Sequence, residues 1–86
     1  MSMKAKKQIG KVTHFFSKIG VAVVEVSDSM KVGDTITIEG PLTNVEQKVE
    51  SMQIDHVPVL SAKKGESVGM KVSGVVREGD GVFRKG

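Results

Sequence analysis

Apolar and polar residues alternate along much of this chain with the period of a strand, not of a helix. In residues 35–39, Ile36 and Ile38 fall on one face, with Thr35, Thr37 and Glu39 on the other. Residues 67–76 carry Val68, Met70, Val72 and Val76 on one face and Lys71 and Ser73 on the other. Residues 8–16 read as a strand with Ile9, Val12, Phe15 and Phe16 as its apolar members. Residues 19–26 are valine-rich and apolar on both faces, which suits a strand curled within a closed sheet. Val82 and Phe83 begin a short last strand. Polar turns separate these runs: Ser17-Lys18, Ser27-Asp28-Ser29, a turn entry at residues 30–34 with Gly33, Gly40-Pro41, residues 62–66, and Gly79-Asp80-Gly81. Several short strands at roughly regular spacing predict a small sandwich or barrel. No internal repeat is evident in the pattern.

Residues 45–54 are ambiguous. Thr43 and Glu46 have the spacing of a capping box, and Val45, Val49 and Met52 follow at helical intervals. A helix there spans about nine residues, short of the 12–15 that good isolated helices need. It also turns Ile54 away from the apolar stripe. As a strand with a one-residue bulge near Glu50-Ser51, all four apolar residues reach the core side. The pattern fits a strand better.

The chain is 86 residues long, the size of one domain, and it has no cysteine to form disulfides or thiolate metal sites. No apolar run approaches the roughly 20 residues of a membrane span. The basic start, MSMKAKKQ, lacks the apolar region of a signal peptide. These features predict a mobile basic arm over residues 1–8, one β domain over 9–86, and a cytoplasmic location. The net charge of +3 is unevenly spread: residues 1–18 carry +5, residues 19–62 carry −5 and residues 63–86 carry +3. If the fold brings the two ends together, it gains a basic face suited to a polyanion.

Catalytic and metal-binding patterns are absent from the sequence. There is no P-loop, and no GxGxxG opens a helix. His14 and His56, even with Asp55, lack a metal-site spacing, and nothing marks Ser51 and His56 as nucleophile and base. No metal, cofactor or catalytic residue is expected. Gly69 and Gly74, inside the clearest strand, signal a bend or a close backbone approach. On a regular strand one of Phe15 and Phe16 turns outward, beside Lys11, His14 and Lys18, but the favoured reading buries both at a hairpin end.

The run V-E-S-M-Q at residues 49–53, followed by A-K-K-G-E-S-V-G-M-K-V at 62–72, resembles the second domain of the translational GTPases, chiefly elongation factor Tu and elongation factor 1-alpha. Gly10-Lys11-Val12, Lys31-Val32-Gly33-Asp34 and Arg77-Glu78-Gly79-Asp80 extend the resemblance to about residues 9–84. The nearest likeness is to small stand-alone archaeal elongation-factor-like proteins. The run G-D-T-I-T-I-E-G-P at residues 33–41 is also similar to the C-terminal barrel of U32-type peptidase-like proteins. Both resemblances imply an all-β fold, a closed antiparallel barrel of about six strands, with residues 45–54 as a strand and Thr43-Asn44 as a turn. The GTPase domain of the family has no counterpart here, so the chain alone binds no GTP.

The leading expectation is a non-enzymatic module that binds tRNA, rRNA or the ribosome through a basic face. Its candidate contacts are Lys4, Lys6, Lys7, Lys11, Lys18, Lys63, Lys64, Arg77, Arg84 and Lys85. The alternative is a protein-interaction barrel, an accessory subunit to a U32-type enzyme or a translation factor. Its contact is apolar, around Phe15-Phe16 or Val57-Pro58-Val59-Leu60.

Overall fold

Among the described residues, every regular element is a strand. The computed structural model describes residues 7–84, in which ten strands follow one another: β1 (Lys7–Phe16), β2 (Val21–Val26), β3 (Ser29–Lys31), β4 (Thr35–Gly40), β5 (Thr43–Lys48), β6 (Met52–Ile54), β7 (Val57–Val59), β8 (Ser61–Lys63), β9 (Ser67–Lys71) and β10 (Gly81–Arg84). Eight of them form one antiparallel sheet in the order β5-β4-β10-β1-β2-β9-β6-β7, and β3 pairs with β8 in a second, two-stranded sheet. The alternating inward residues Ile9, Val12, Ala22, Val24, Ile36, Ile38, Val68, Met70 and Val82 meet in one core with Met30, Val49, Met52 and Val76.

The expected closed barrel of six strands is corrected. The large sheet ends at β5 on one side and β7 on the other, and no ladder joins those edges. Near the β5 edge a side chain takes the part of a strand. The Gln47 amide donates to the Lys71 carbonyl at 2.9 Å and accepts from the Ser73 N–H at 2.8 Å. Residues 43–54 are indeed strand, but split in two. The Gly40-to-Thr43 pairing puts the turn at Pro41-Leu42, so Thr43 opens β5 instead of making a turn. The chain leaves the ladder at residues 49–51, where a bulge was expected, and so keeps Val49 and Met52 buried with Val45 and Ile54 packed against the core. Lys7, assigned to the arm, pairs with Arg84 in the sheet, and Gln8, read both as the end of the arm and as the start of the strand, pairs with Phe83. The short strands β7 and β8 went unpredicted because three residues carry too little alternation to read.

The structure reveals a repeat that the sequence pattern hid. Lys31–Asp34, Lys63–Glu66 and Arg77–Asp80 are three copies of one turn, basic-x-Gly-acid. In each, the acid's N–H donates to the first residue's carbonyl at 3.1 Å. The acid's carboxylate accepts from the first residue's N–H, at 3.1 Å for Asp34, 2.7 Å for Glu66 and 2.8 Å for Asp80. The third residue is glycine at φ +100°, +92° and +92°, the positive φ that a type II turn requires. Each turn is also clasped to a distant buried valine. The glycine N–H donates to the carbonyl of Val49, Val26 or Val12, and the same valine's N–H donates back to the acid's carbonyl, all at 2.8–2.9 Å. A buried residue precedes and follows each copy: Met30 and Ile36, Ala62 and Val68, Val76 and Val82. These clasps tie loops into the sheet without lengthening its strands.

Candidate functional site

The outer face of β1, β2, β9 and β6 carries a largely apolar strip where solvent-facing positions are usually polar. Cross-strand register aligns His14, Val23, Gly69 and Gln53 in one row, and Phe16, Val21 and Lys71 in the next. Val21 and Val23 floor a groove of about 400 Å³, walled by Phe16 and Ile19 on one side and the Asp55-His56 turn on the other. Gly69 deepens the floor, since a Cβ there would meet only the Val21 side chain, at 3.5 Å. Phe16 and Ile19 stand 51% and 64% exposed. His14 stacks on Phe16, with ring centroids 6.2 Å apart, and fixes its wall. Phe15 turns inward against the core. Asp55 and His56 both sit at positive φ, +51° and +65°, in the two-residue turn where Asn-Gly is the usual choice. The sequence held this signal in the two-faced valine run of β2, which was read as curling and instead floors the strip.

The basic candidates are only partly brought together. Lys4, Lys6 and Lys85 lie outside the described residues. Lys7 and Arg84 face each other across β1 and β10, so the two ends of the chain do meet. Acids meet their charge, however: Lys7 binds Asp28 at 2.8 Å, and Arg84 lies 3.7 Å from both Asp28 and Asp34. Arg84 also donates to the Ser29 carbonyl at 2.9 Å. Lys11 and Lys64 line one shallow groove together with Glu25. Lys63 pairs with Ser29 in the small sheet. Lys18 belongs to the β1–β2 turn, and Arg77 opens the third clasped turn. His14 lies 3.3 Å from Glu78. Among the described residues, no three acids, histidines or cysteines are grouped as a metal site would need. No helix there is long and apolar enough to cross a membrane.

This network perturbs the Asp28 carboxylate. The hydrogen bond from Lys7 is the largest cause, and it holds the Asp28 pKa below the usual carboxylate value against an opposing desolvation effect. A depressed folded pKa stabilises the native state above the unfolded pKa of about 3.9, and the contribution disappears as pH falls through the folded value. Lys7→Gln is therefore expected to move the Asp28 midpoint upward, followed by NMR titration of its carboxyl carbon. An unchanged midpoint would show that Lys7 is not the cause.

The open eight-stranded sheet with its small two-stranded companion defines an all-β domain. Two solved structures of the C-terminal domain of a Geobacillus thermoleovorans protein described as a U32 peptidase share the fold. One has a TM-score of 0.85 at 20% identity, covering 90% of this chain and 98% of that domain. The other has a TM-score of 0.86 at 18% identity, covering 100% and 99%. In sequence, the chain is similar to a segment of an uncharacterized protease of Methanocaldococcus jannaschii, 51% identical over 79 residues. That match covers 91% of this chain and 19% of the protease. A Porphyromonas gingivalis collagenase is 37% identical over 83 residues, covering 94% of this chain and 23% of the collagenase. The chain thus spans about a fifth of the length of the curated relatives it matches. No family model matches it.

These relatives overturn the elongation-factor reading and the RNA-binding role drawn from it. The kinship runs to protease and collagenase segments, and the alternative, an accessory module of a U32-type enzyme, fits them better.

Proposed function

We propose that the chain is a non-catalytic module that docks on the body of a U32-type peptidase-like protein. One observation carries this reading: nine-tenths of the chain corresponds to only a fifth of a protease, so the larger part of that protein lies elsewhere. The apolar strip supports it by offering a concave contact with an exposed aromatic wall, as buried interface anchors require. The Val57–Leu60 stretch is a second exposed apolar surface, with Leu60 tied to Val32 by a backbone bond of 3.0 Å.

A segment exchange tests the proposal. Deleting the matching segment of the P. gingivalis collagenase should abolish collagen cleavage. Inserting this chain in its place should restore it, and Phe16→Asp in the insert should lower the restored rate at least tenfold, about 1.4 kcal/mol. The chain alone should cleave nothing. Cleavage by the chain alone, or restoration indifferent to Phe16→Asp, would refute it.

A further inference from the structure

Residues 71–77, K-V-S-G-V-V-R, keep the burial alternation of a strand after the ladder has stopped. Lys71, Ser73, Val75 and Arg77 are exposed, Val72 and Val76 are buried, and Gly74 lies between. Yet β9 ends at Lys71, and the chain bends at Ser73-Gly74. Val72 donates to the Gly20 carbonyl, and Ser73 is met only by the Gln47 side chain. Beyond that, the N–H groups of Gly74, Val75 and Val76 find no acceptor among the described residues. The carbonyls of residues 72–76 find no donor there. Exposed backbone groups of this kind are met by water, and a row of them beside β-prone side chains is a template for another strand. Val75, 66% exposed, supplies an apolar contact in the middle of the row. Gln47 already imitates the missing neighbour, since its amide offers one donor and one acceptor where a strand would.

We infer that residues 72–76 are a strand-addition site for an extended segment of another polypeptide, one with an apolar centre flanked by acidic residues. The charges name the partner. Lys71 and Arg77 bracket the row, and neither side chain has a carboxylate partner among the described residues. A second copy pairing antiparallel would set Lys71 against Arg77, like charges across a ladder, which is unfavourable. An acidic-flanked segment sets a carboxylate opposite each and adds backbone bonds along the centre, the mode known as β-augmentation. The inference stands whether or not the partner is a U32-type body.

Amide hydrogen exchange tests it first on the free chain. Gly74, Val75 and Val76 should exchange fast while the β2 and β9 amides are protected. The probe is then the synthetic peptide Glu-Val-Thr-Val-Thr-Val-Glu, with Lys-Val-Thr-Val-Thr-Val-Lys as its charge-reversed control. The acidic peptide should bind and slow exchange at those three amides, and the control should not. The Lys71→Glu/Arg77→Glu variant, altered only at exposed side chains, should weaken the acidic peptide at least tenfold and accept the basic one. The idea is overturned by protection of the three amides in the free chain, by no binding at millimolar peptide, by protection that rises with protein concentration alone, or by indifference to the charge reversal.

Discussion

Asp80→Ala is expected to be the most destabilising single change among the three turn carboxylates, by about 2–3 kcal/mol. Asp80 is only 3% exposed, and its carboxylate satisfies the half-buried N–H of Arg77 at 2.8 Å. Removing it strands that donor where water does not easily reach, whereas the corresponding bonds of Asp34 and Glu66 are exposed. Alanine at Glu66 should cost about 1 kcal/mol or less, since water replaces the carboxylate, and Asp34→Ala should fall between the two, because that side chain is 14% exposed and lies 3.7 Å from Arg84. Gly40 supplies an independent check. A Cβ on Gly40 would collide with the Asp80 carboxylate. Gly40→Ala therefore has to push that carboxylate off the Arg77 N–H, and it should cost about as much as losing Asp80. In the Asp80→Ala background it should be nearly harmless. Urea unfolding of the two single variants and the double variant measures the coupling, expected at 1 kcal/mol or more. Simple additivity would mean the two residues do not share one site. In a domain of this size each kcal/mol moves Tm by about 4–8 °C, so the effect is large enough to measure by melting.

The same turns mark what could be read from the sequence and what could not. Each was legible singly as a polar, glycine-bearing break, because turn chemistry is local. Their equivalence was not, because the bonds that define it run from Gly79 to Val12 and from Gly33 to Val49, far apart in the chain. Strand content was legible from the alternation of Ile36 and Ile38 or of Val68 and Met70. Closure was not, since it depends on whether β5 meets a distant partner, and Gln47 fills that place with a side chain. Residues 72–76 show the limit from the other side: their alternation is strand-like, but pairing is not encoded in alternation. The meeting of Lys7 with Arg84 followed from neighbouring first and last strands. The acids Asp28 and Asp34 that hold these cations came from elsewhere in the chain and were not foreseen. The candidate strip was visible only as an oddity, valines on the solvent side of β2.

Replacing Gly33, Gly65 and Gly79 together by L-alanine should bring the domain close to unfolding, and for a reason that is purely backbone. No atom lies within 4 Å of a Cβ built on any of the three, so the new methyl meets no neighbour. What it meets is its own chain, because φ near +92° to +100° forces an L-residue into the left-handed region at roughly 1–2 kcal/mol each. The three turns are clasped to different valines, so their costs should add to about 3–6 kcal/mol. A domain of this length has a total stability of roughly 4–13 kcal/mol. Chirality separates this cause from any lost contact. At 86 residues the chain is within reach of chemical synthesis, and D-alanine places the same methyl in the same empty space with positive φ preferred. D-alanine at Gly79 should leave stability unchanged or raise it by about 0.4–1 kcal/mol, through a less flexible unfolded chain. Equal loss from the D- and L-residues would mean the space around the turn is filled in solution, and the shared geometry of the three turns would have to be abandoned.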